Sequence, residues 1–233
     1  HQRTTLLQNG DVSILKISTL NIQKTNPIEK WLSVLLINSQ FMRGIRRYFP
    51  EVKFDIVIYA TPPITFTRLV RYIKQKNGAI TYLLLKDIFP QNAVDIGLIK
   101  RGGLLHHYFI NQEKRLYAIS DHIGCMSQAN VDYLTKAHLD INCEKIEVNP
   151  NSHELFNEDV TPEQKQIIRR KYGVPLHAVL FVYGGNLGKP QGIRFILDFL
   201  NLQKDREDAF FLIAGSGTEF KKIELWFKKN QPL

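Results

Sequence analysis

Two cysteines in 233 residues leave no room for a disulfide framework. Cys125 and Cys143 lack C-x-x-C spacing, which suits a reducing cytoplasm, and Cys125 sits in an apolar strand pattern as a small buried hydrophobe. No apolar run reaches the length of a transmembrane helix. No signal-peptide pattern is read. H-E-x-x-H is missing, which excludes the zinc-peptidase helix. Ser216 lies outside any G-x-S-x-G, so it is no hydrolase nucleophile. There is no internal repeat and no low-complexity tract. No RNP-type aromatic motif, zinc finger or basic heptad is found, so nucleic acid is not an expected partner.

What is present is a basic first half. Residues 1–110 carry 15 Lys and Arg against 6 Asp and Glu, whereas residues 111–233 carry 16 of each, so the whole net charge of +9 sits in the first part. A one-sided basic surface suits an anionic partner such as membrane headgroups or a lipid diphosphate; an ordinary solvated charge face is the alternative. The hydrophobic content of 44% is enough for real cores, and the length holds one large or two ordinary domains.

Residues 1–30 are polar with a short alternating stretch, Val12 to Ile17, and read as one or two strands. Residues 31–49 combine Trp31, Leu32, Leu35, Leu36, Met42 and Ile45 with Arg43, Arg46 and Arg47. They read as a helix packed on the sheet, or alternatively as an interfacial helix with arginines on headgroups. A βα series follows: strand 54–59, helix 64–76 with Arg68, Arg71, Lys74 and Lys76 on its exposed face, and an Asn77-Gly78 cap. Strand 79–85, helix 104–120 and strand 123–126 come next, then a helix capped by Ser127 and a short strand 146–148. The continuous apolar strands suit parallel pairing with both faces covered. The polar stretch 151–162 marks a domain boundary, and Thr161-Pro162-Glu163-Gln164 reads as a helix cap. Strands 178–183 and 209–214 then alternate with helices 191–202 and 218–229, giving an α/β chain with parallel sheets. His106 and His107 read as surface or satisfied core histidines on a helix, and His122 as structural.

The most informative stretch is Gly184-Gly185-Asn186-Leu187-Gly188-Lys189-Pro190-Gln191-Gly192, between an apolar strand and a helical pattern. Strand, glycine turn and helix start together aim unpaired N–H groups and a positive dipole end at one spot, where a phosphate is the usual guest. A glycine-rich connection that binds nothing is the alternative. The stretch is no Walker A loop, because Gly184 to Gly188 is one residue short and Lys189 is followed by Pro190. Gly215-Ser216-Gly217 is no dinucleotide fingerprint, because Phe220 stands where the third glycine belongs. Both glycine sites fall at the carboxyl edge of their strands, where α/β sheets bind ligands.

Gly184-Gly185-Asn186-Leu187-Gly188 followed by Phe211-Leu212-Ile213-Ala214-Gly215-Ser216-Gly217-Thr218-Glu219 resembles the nucleotide-sugar domain of bacterial glycosyltransferases of family 4, closest to the sugar transferases of capsule and O-antigen assembly. Thr61-Pro62-Pro63, Asp87-Ile88-Phe89-Pro90, Ser127 after a strand, and Asn149-Pro150-Asn151 agree in order, so the likeness spans residues 54–229. The resemblance implies a GT-B fold of two Rossmann-like domains with parallel sheets. Residues 1–152 would be the acceptor-side domain, lacking its first strand, and 153–233 the beginning of a nucleotide-sugar-binding domain, so a fragment with an incomplete second domain is expected; the start at His1 rather than Met agrees.

The reaction implied is retaining transfer from a nucleotide diphosphate sugar to a lipid-linked saccharide acceptor, at the inner face of the cytoplasmic membrane. In that reading Gly184, Gly185, Asn186, Leu187 and Gly188 cradle the donor phosphates and Lys189 supplies charge, with Gly215, Ser216 and Gly217 on the nucleotide. The family often carries Lys just before the final glycine; here that place is Gln191, so Lys189 either substitutes or is simply solvated. Asp87, at a strand's carboxyl end, is a base or orienting group for the acceptor, or else a helix cap. D-x-D is absent, so neither a catalytic metal nor a cofactor is expected, the nucleotide sugar being substrate. A non-hydrolysing sugar-nucleotide 2-epimerase, or a nucleotide-sugar-binding domain without catalysis, are the alternatives.

Overall fold

The computed structural model describes residues 4–20, 27–155 and 159–230, and of residues 27–32, 34 and 35 the backbone alone. The chain divides into two compact units, His1–His153 and Glu154–Leu233.

The first unit opens with β1 (Thr5–Asn9) and β2 (Val12–Lys16), paired antiparallel. They are the strands expected in the alternating stretch before the βα series. A two-residue link, with Gly10 at a φ of 58°, allows only a hairpin, since a parallel crossover needs a dozen residues. Helix α1 (Pro27–Tyr48) lies against α2 (Thr67–Asn77): Phe41, Met42 and Ile45 pack with Leu69, Ile73 and Ala79, and the Asn38 amide oxygen accepts the Leu69 N–H at 3.1 Å. The side chains of Trp31, Leu32 and Leu35 lie outside the described residues.

Strands β3 (Ile56–Ala60), β4 (Ile80–Leu85), β5 (His122–Cys125) and β6 (Ile146–Val148) form a parallel sheet in that order. Helices α2, α4 (Leu104–Ile119) and α5 (Gln128–Ala137) connect them, with a short α3 (Gln91–Asp95) after β4. Each connection steps to the next strand in the same direction. Right-handed crossovers therefore drop all three long helices on one face. The core records this: Tyr59, Leu83, Leu85, Ile123 and Cys125 from alternate strand positions pack with Val70, Phe109, Leu116, Tyr117 and Leu134. On the other face Ile56, Ile58 and Ile80 are 55%, 64% and 50% exposed. The expectation of a sheet covered on both faces is thus corrected among the described residues. On that open face the Tyr82 ring crosses Gly124, donating from its hydroxyl to Glu147 and accepting from the Asn149 amide, at 2.6 and 2.8 Å.

At the amino end of the sheet, Asp121 accepts from Lys74 Nζ (2.6 Å), the Thr81 N–H and the Thr81 hydroxyl. Burial pushes its carboxyl up, but these bonds outweigh burial and hold it below its ordinary value. Lys74, expected on an exposed face, is a partner inside the fold; it also donates to the Ile119 carbonyl. Deeper in the core, Glu113 accepts from the Tyr117 hydroxyl at 2.9 Å and faces His138 Nε2 at 3.5 Å. Burial raises the Glu113 carboxyl to about 7 and lowers the His138 imidazole.

The second unit begins with α6 (Pro162–Lys171), which Thr161 and Gln164 close in a reciprocal capping box. Strands β7 (Val179–Asn186) and β8 (Ala209–Ser216) pair in parallel, each followed by a helix, α7 (Ile193–Gln203) and α8 (Phe220–Asn230). Leu187, Ile193 and Ile223 form the core, with Tyr183, Ile196, Leu197, Ile213 and Phe227 against them. The Trp226 indole donates to Asn201 at 2.7 Å and ties the two helices. Both units are therefore α/β with parallel sheets. Among the described residues no helix is long and apolar enough to cross a membrane.

Candidate functional site

The two sheets place the sequence-predicted residues at carboxyl strand edges, each in its own unit. In the second unit, β7 and β8 run through the glycines rather than stopping before them. Gly184, Gly185 and Asn186 pair with Ala214, Gly215 and Ser216. The expected turn is thus shorter and later, confined to Leu187–Gly192. The cause is the partner strand, whose ladder holds the glycines extended.

Leu187 is an anchor and not a donor to a ligand. Its side chain is 1% exposed, its N–H is given to the Ser216 carbonyl at 2.9 Å, and its carbonyl accepts from Glu219 at 2.8 Å. That corrects its place in the expected cradle. Gln191 turns out to hold the loop, because its side-chain oxygen accepts both the Gly188 N–H and the Asn186 amide at 3.2 Å. The Tyr183 hydroxyl closes the strand end by donating to the Asn186 carbonyl at 2.8 Å. Gly192, at a φ of 62°, joins the loop to α7 and no side chain caps that helix. The first-turn N–H groups at Ile193, Arg194 and Phe195 thus have no intrahelical acceptor, and the positive dipole end adds to them. Lys189 is exposed beside them and takes part in no ion pair among the described residues.

The glycines divide by what surrounds them. A Cβ on Gly184 would meet nothing within 4 Å, so that face of the strand end is open. A Cβ on Gly215 would lie 2.0 Å from the Gly185 carbonyl oxygen, and one on Gly217 would lie 2.4 Å from the Leu187 carbonyl oxygen. Gly215 and Gly217 are therefore demanded by chain packing. Ser216, exposed between them, supplies its carbonyl to Leu187.

In the first unit the residues that follow β3, β4, β5 and β6 are Thr61, Lys86-Asp87, Met126-Ser127 and Asn149. Asp87 is exposed and caps nothing: α3 begins at Gln91, Pro90 holds the cap position, and no side chain bonds there. The helix-cap alternative is thereby set aside. Its backbone is fixed by Thr61, which is 2% exposed; the Thr61 hydroxyl donates to the Asp87 carbonyl at 3.1 Å and accepts the Asp87 N–H at 3.4 Å. Sequence reasoning placed Thr61 in a motif but missed this role, which only strand adjacency reveals. Ser127 is spent as the cap of α5, accepting the Asn130 N–H. His122 stacks on Tyr82 with ring centroids 6.2 Å apart. His106 and His107 bond to the Gly102 and Gly103 backbone at the start of α4.

No known family model matches the chain. Over 167 residues it is 22% identical to a Pseudomonas aeruginosa protein described as the probable glycosyltransferase WbjE, covering 69% of this chain and 39% of that protein. Among solved structures it is similar to the apo form of the lipopolysaccharide outer core galactosyltransferase WaaB, with a TM-score of 0.47 and 15% identity, covering 84% of this chain and 46% of that one. The chain therefore spans less than half the length of the relatives it matches.

Proposed function

We propose that this chain serves glycosyl transfer of the GT-B type, moving a sugar from a nucleotide diphosphate sugar to a lipid-linked saccharide in bacterial surface polysaccharide synthesis, at the inner face of the cytoplasmic membrane. The observation that carries the reading is the end of β7. An open Gly184, an exposed Lys189 and an uncapped α7 start follow one another along the chain there, a set that suits a diphosphate. As the sugar leaves, negative charge grows on that diphosphate, and fixed N–H dipoles with a lysine stabilise it without reorganising. In this reading the second unit holds the donor and the first unit the acceptor. Asp87 then orients the acceptor hydroxyl or takes its proton, held in place through Thr61. Retention of anomeric configuration and independence of metal belong to the same proposal.

Calorimetry with a panel of nucleoside diphosphate sugars tests it. Binding that is lost in Gly184→Val, at unchanged melting temperature, supports the site. Equal affinity in that variant removes the donor phosphates from β7. Turnover that vanishes in EDTA and returns with Mn²⁺ would overturn the metal-independent mechanism.

A further inference from the structure

The connection from α3 to α4 is tightly built, yet it turns leucines outward. Leu98 and Ile99 both donate to the Ala93 carbonyl, at 2.8 and 3.1 Å, Gly97 donates to Val94 at 3.0 Å, and Gly103 to Lys100 at 3.1 Å. Gly97 and Gly102 turn the chain at φ values of 70° and 75°. Ala93 is buried and Ile99 packs on the main core, so the loop is pinned from below. Against that anchor Leu98 is 66% exposed, Leu104 92% and Leu105 45%. Lys100 and Arg101 are exposed between them, and no acidic residue occurs from Ile96 to Gln112. The nearest acid before the loop, Asp95, accepts from the Gln91 amide at 2.6 Å.

Three outward leucines around two cations, on a loop held in shape by its own hydrogen bonds, match a surface that is apolar beneath and anionic above. We propose that Gly97–Leu105 is where the chain seats on an acidic phospholipid bilayer, the leucines entering the acyl boundary while Lys100 and Arg101 lie on headgroup phosphates. The inference rests on the reading that the acceptor is lipid-linked, and it names the surface that reading needs. Three of the basic residues nearer the start already have partners within the fold. The Arg46 guanidinium lies over the Tyr72 ring at 4.4 Å, Lys74 is bonded to Asp121, and Lys76 donates to the Pro50 carbonyl. The loop belongs to the same β4–α4 connection as Asp87, so docking there brings the candidate acceptor residue's own segment to the membrane.

Flotation of the 233-residue chain with vesicles of phosphatidylcholine, alone or mixed with phosphatidylglycerol, tests the inference. The chain should float with the mixed vesicles, less so in high salt, and hardly with the neutral ones. The triple variant Leu98→Ser, Leu104→Ser, Leu105→Ser and the double variant Lys100→Glu, Arg101→Glu should each weaken binding about tenfold or more. Both should keep the wild-type melting temperature, because the altered side chains are exposed. Arg43→Glu with Arg47→Glu should lose much less. The proposal is overturned by unchanged flotation in both loop variants, by an equal loss in the arginine pair, or by a wild-type chain that binds neither vesicle. A dimer that the leucine variant dissolves, with no change in flotation, would assign the loop to a second copy and also overturn it. Calorimetry with nucleoside diphosphate sugars reads the donor site separately: failure there sinks the transfer reading and leaves the vesicle result standing.

Discussion

Gly215 in β8 lies so close to Gly185 in β7 that a Cβ on it would fall 2.0 Å from the Gly185 carbonyl oxygen. The contact is to backbone, which cannot swing away as a side-chain tip does. Gly215→Ala must therefore push the two strands apart at their carboxyl end, at a cost of roughly 3 kcal/mol or more. Gly184→Ala meets no atom within 4 Å and should stay within about 0.5 kcal/mol of wild type. Urea unfolding followed by tryptophan fluorescence, Trp226 of α8 being bonded to Asn201 of α7, compares them. Equal midpoints for the two variants would show that the strands are not so closely apposed.

Asp87 and Thr61 make a second separable pair. The Asp87 carboxylate is exposed and caps no helix, so Asp87→Asn should leave the melting temperature unchanged. If it orients or deprotonates the acceptor, turnover should fall by about 100-fold or more. Thr61→Val removes a buried hydroxyl that serves the Asp87 backbone twice, and should cost about 1–3 kcal/mol as well as activity. Full turnover in Asp87→Asn would take that residue out of the chemistry.

Local signals carried much of this structure. Ser127 and Thr161 cap helices where their residue types and spacing place them, and Gly78 ends α2 in the left-handed conformation. What stayed hidden depends on partners distant in the chain. The β7 and β8 strands run through their glycines because each strand supplies the other's ladder. The open face at Ile56, Ile58 and Ile80 follows from strand order, which apolar runs do not encode. Thr61 reaches Asp87 across 26 residues, and Gln191, which reaches back three residues to Gly188 and five to Asn186, has the look of an ordinary polar side chain until the turn is closed. The candidate site was legible as position at an edge, and only the fold separated Gly184, which borders open space, from Gly215 and Gly217, which the chain itself requires.

Gly124 tests the open sheet face. A Cβ there would fall 2.6 Å from the Tyr82 hydroxyl and 2.8 Å from Asn149 Cβ. The tyrosine tip can shift, but the asparagine Cβ is tied to its backbone, whose N–H bonds the Cys125 carbonyl at 2.7 Å. Gly124→Ala should therefore cost about 1–3 kcal/mol, and pairing it with Tyr82→Phe should recover only part of that. Complete recovery in the double variant would mean that the hydroxyl alone fills the space.

The buried Glu113–His138 pair makes stability depend on pH in a direction that can be worked out. Burial raises the Glu113 carboxyl from 4.5 to about 7, outweighing the Tyr117 hydrogen bond that favours its charge. Between those values the folded chain holds a proton that the unfolded chain has released. Stability from Glu113 is thus complete below pH 4.5 and is lost as pH rises through 7. His138 works the other way: its imidazole is lowered from 6.5, so its contribution is present above 6.5 and fades as pH falls. The two slopes oppose each other in the acidic range, and the loss from Glu113 stands alone above 6.5. Glu113→Gln keeps an acceptor for Tyr117 and removes the titrating carboxyl. Its stability advantage over wild type should therefore grow from pH 4.5 to 7, reaching on the order of 3 kcal/mol at neutral pH and above. Melting temperatures of both proteins from pH 4.5 to 8.5 measure it. An advantage that is constant across the range, or that shrinks toward alkaline pH, would show that Glu113 is ionised in the fold and held as an ion pair with His138.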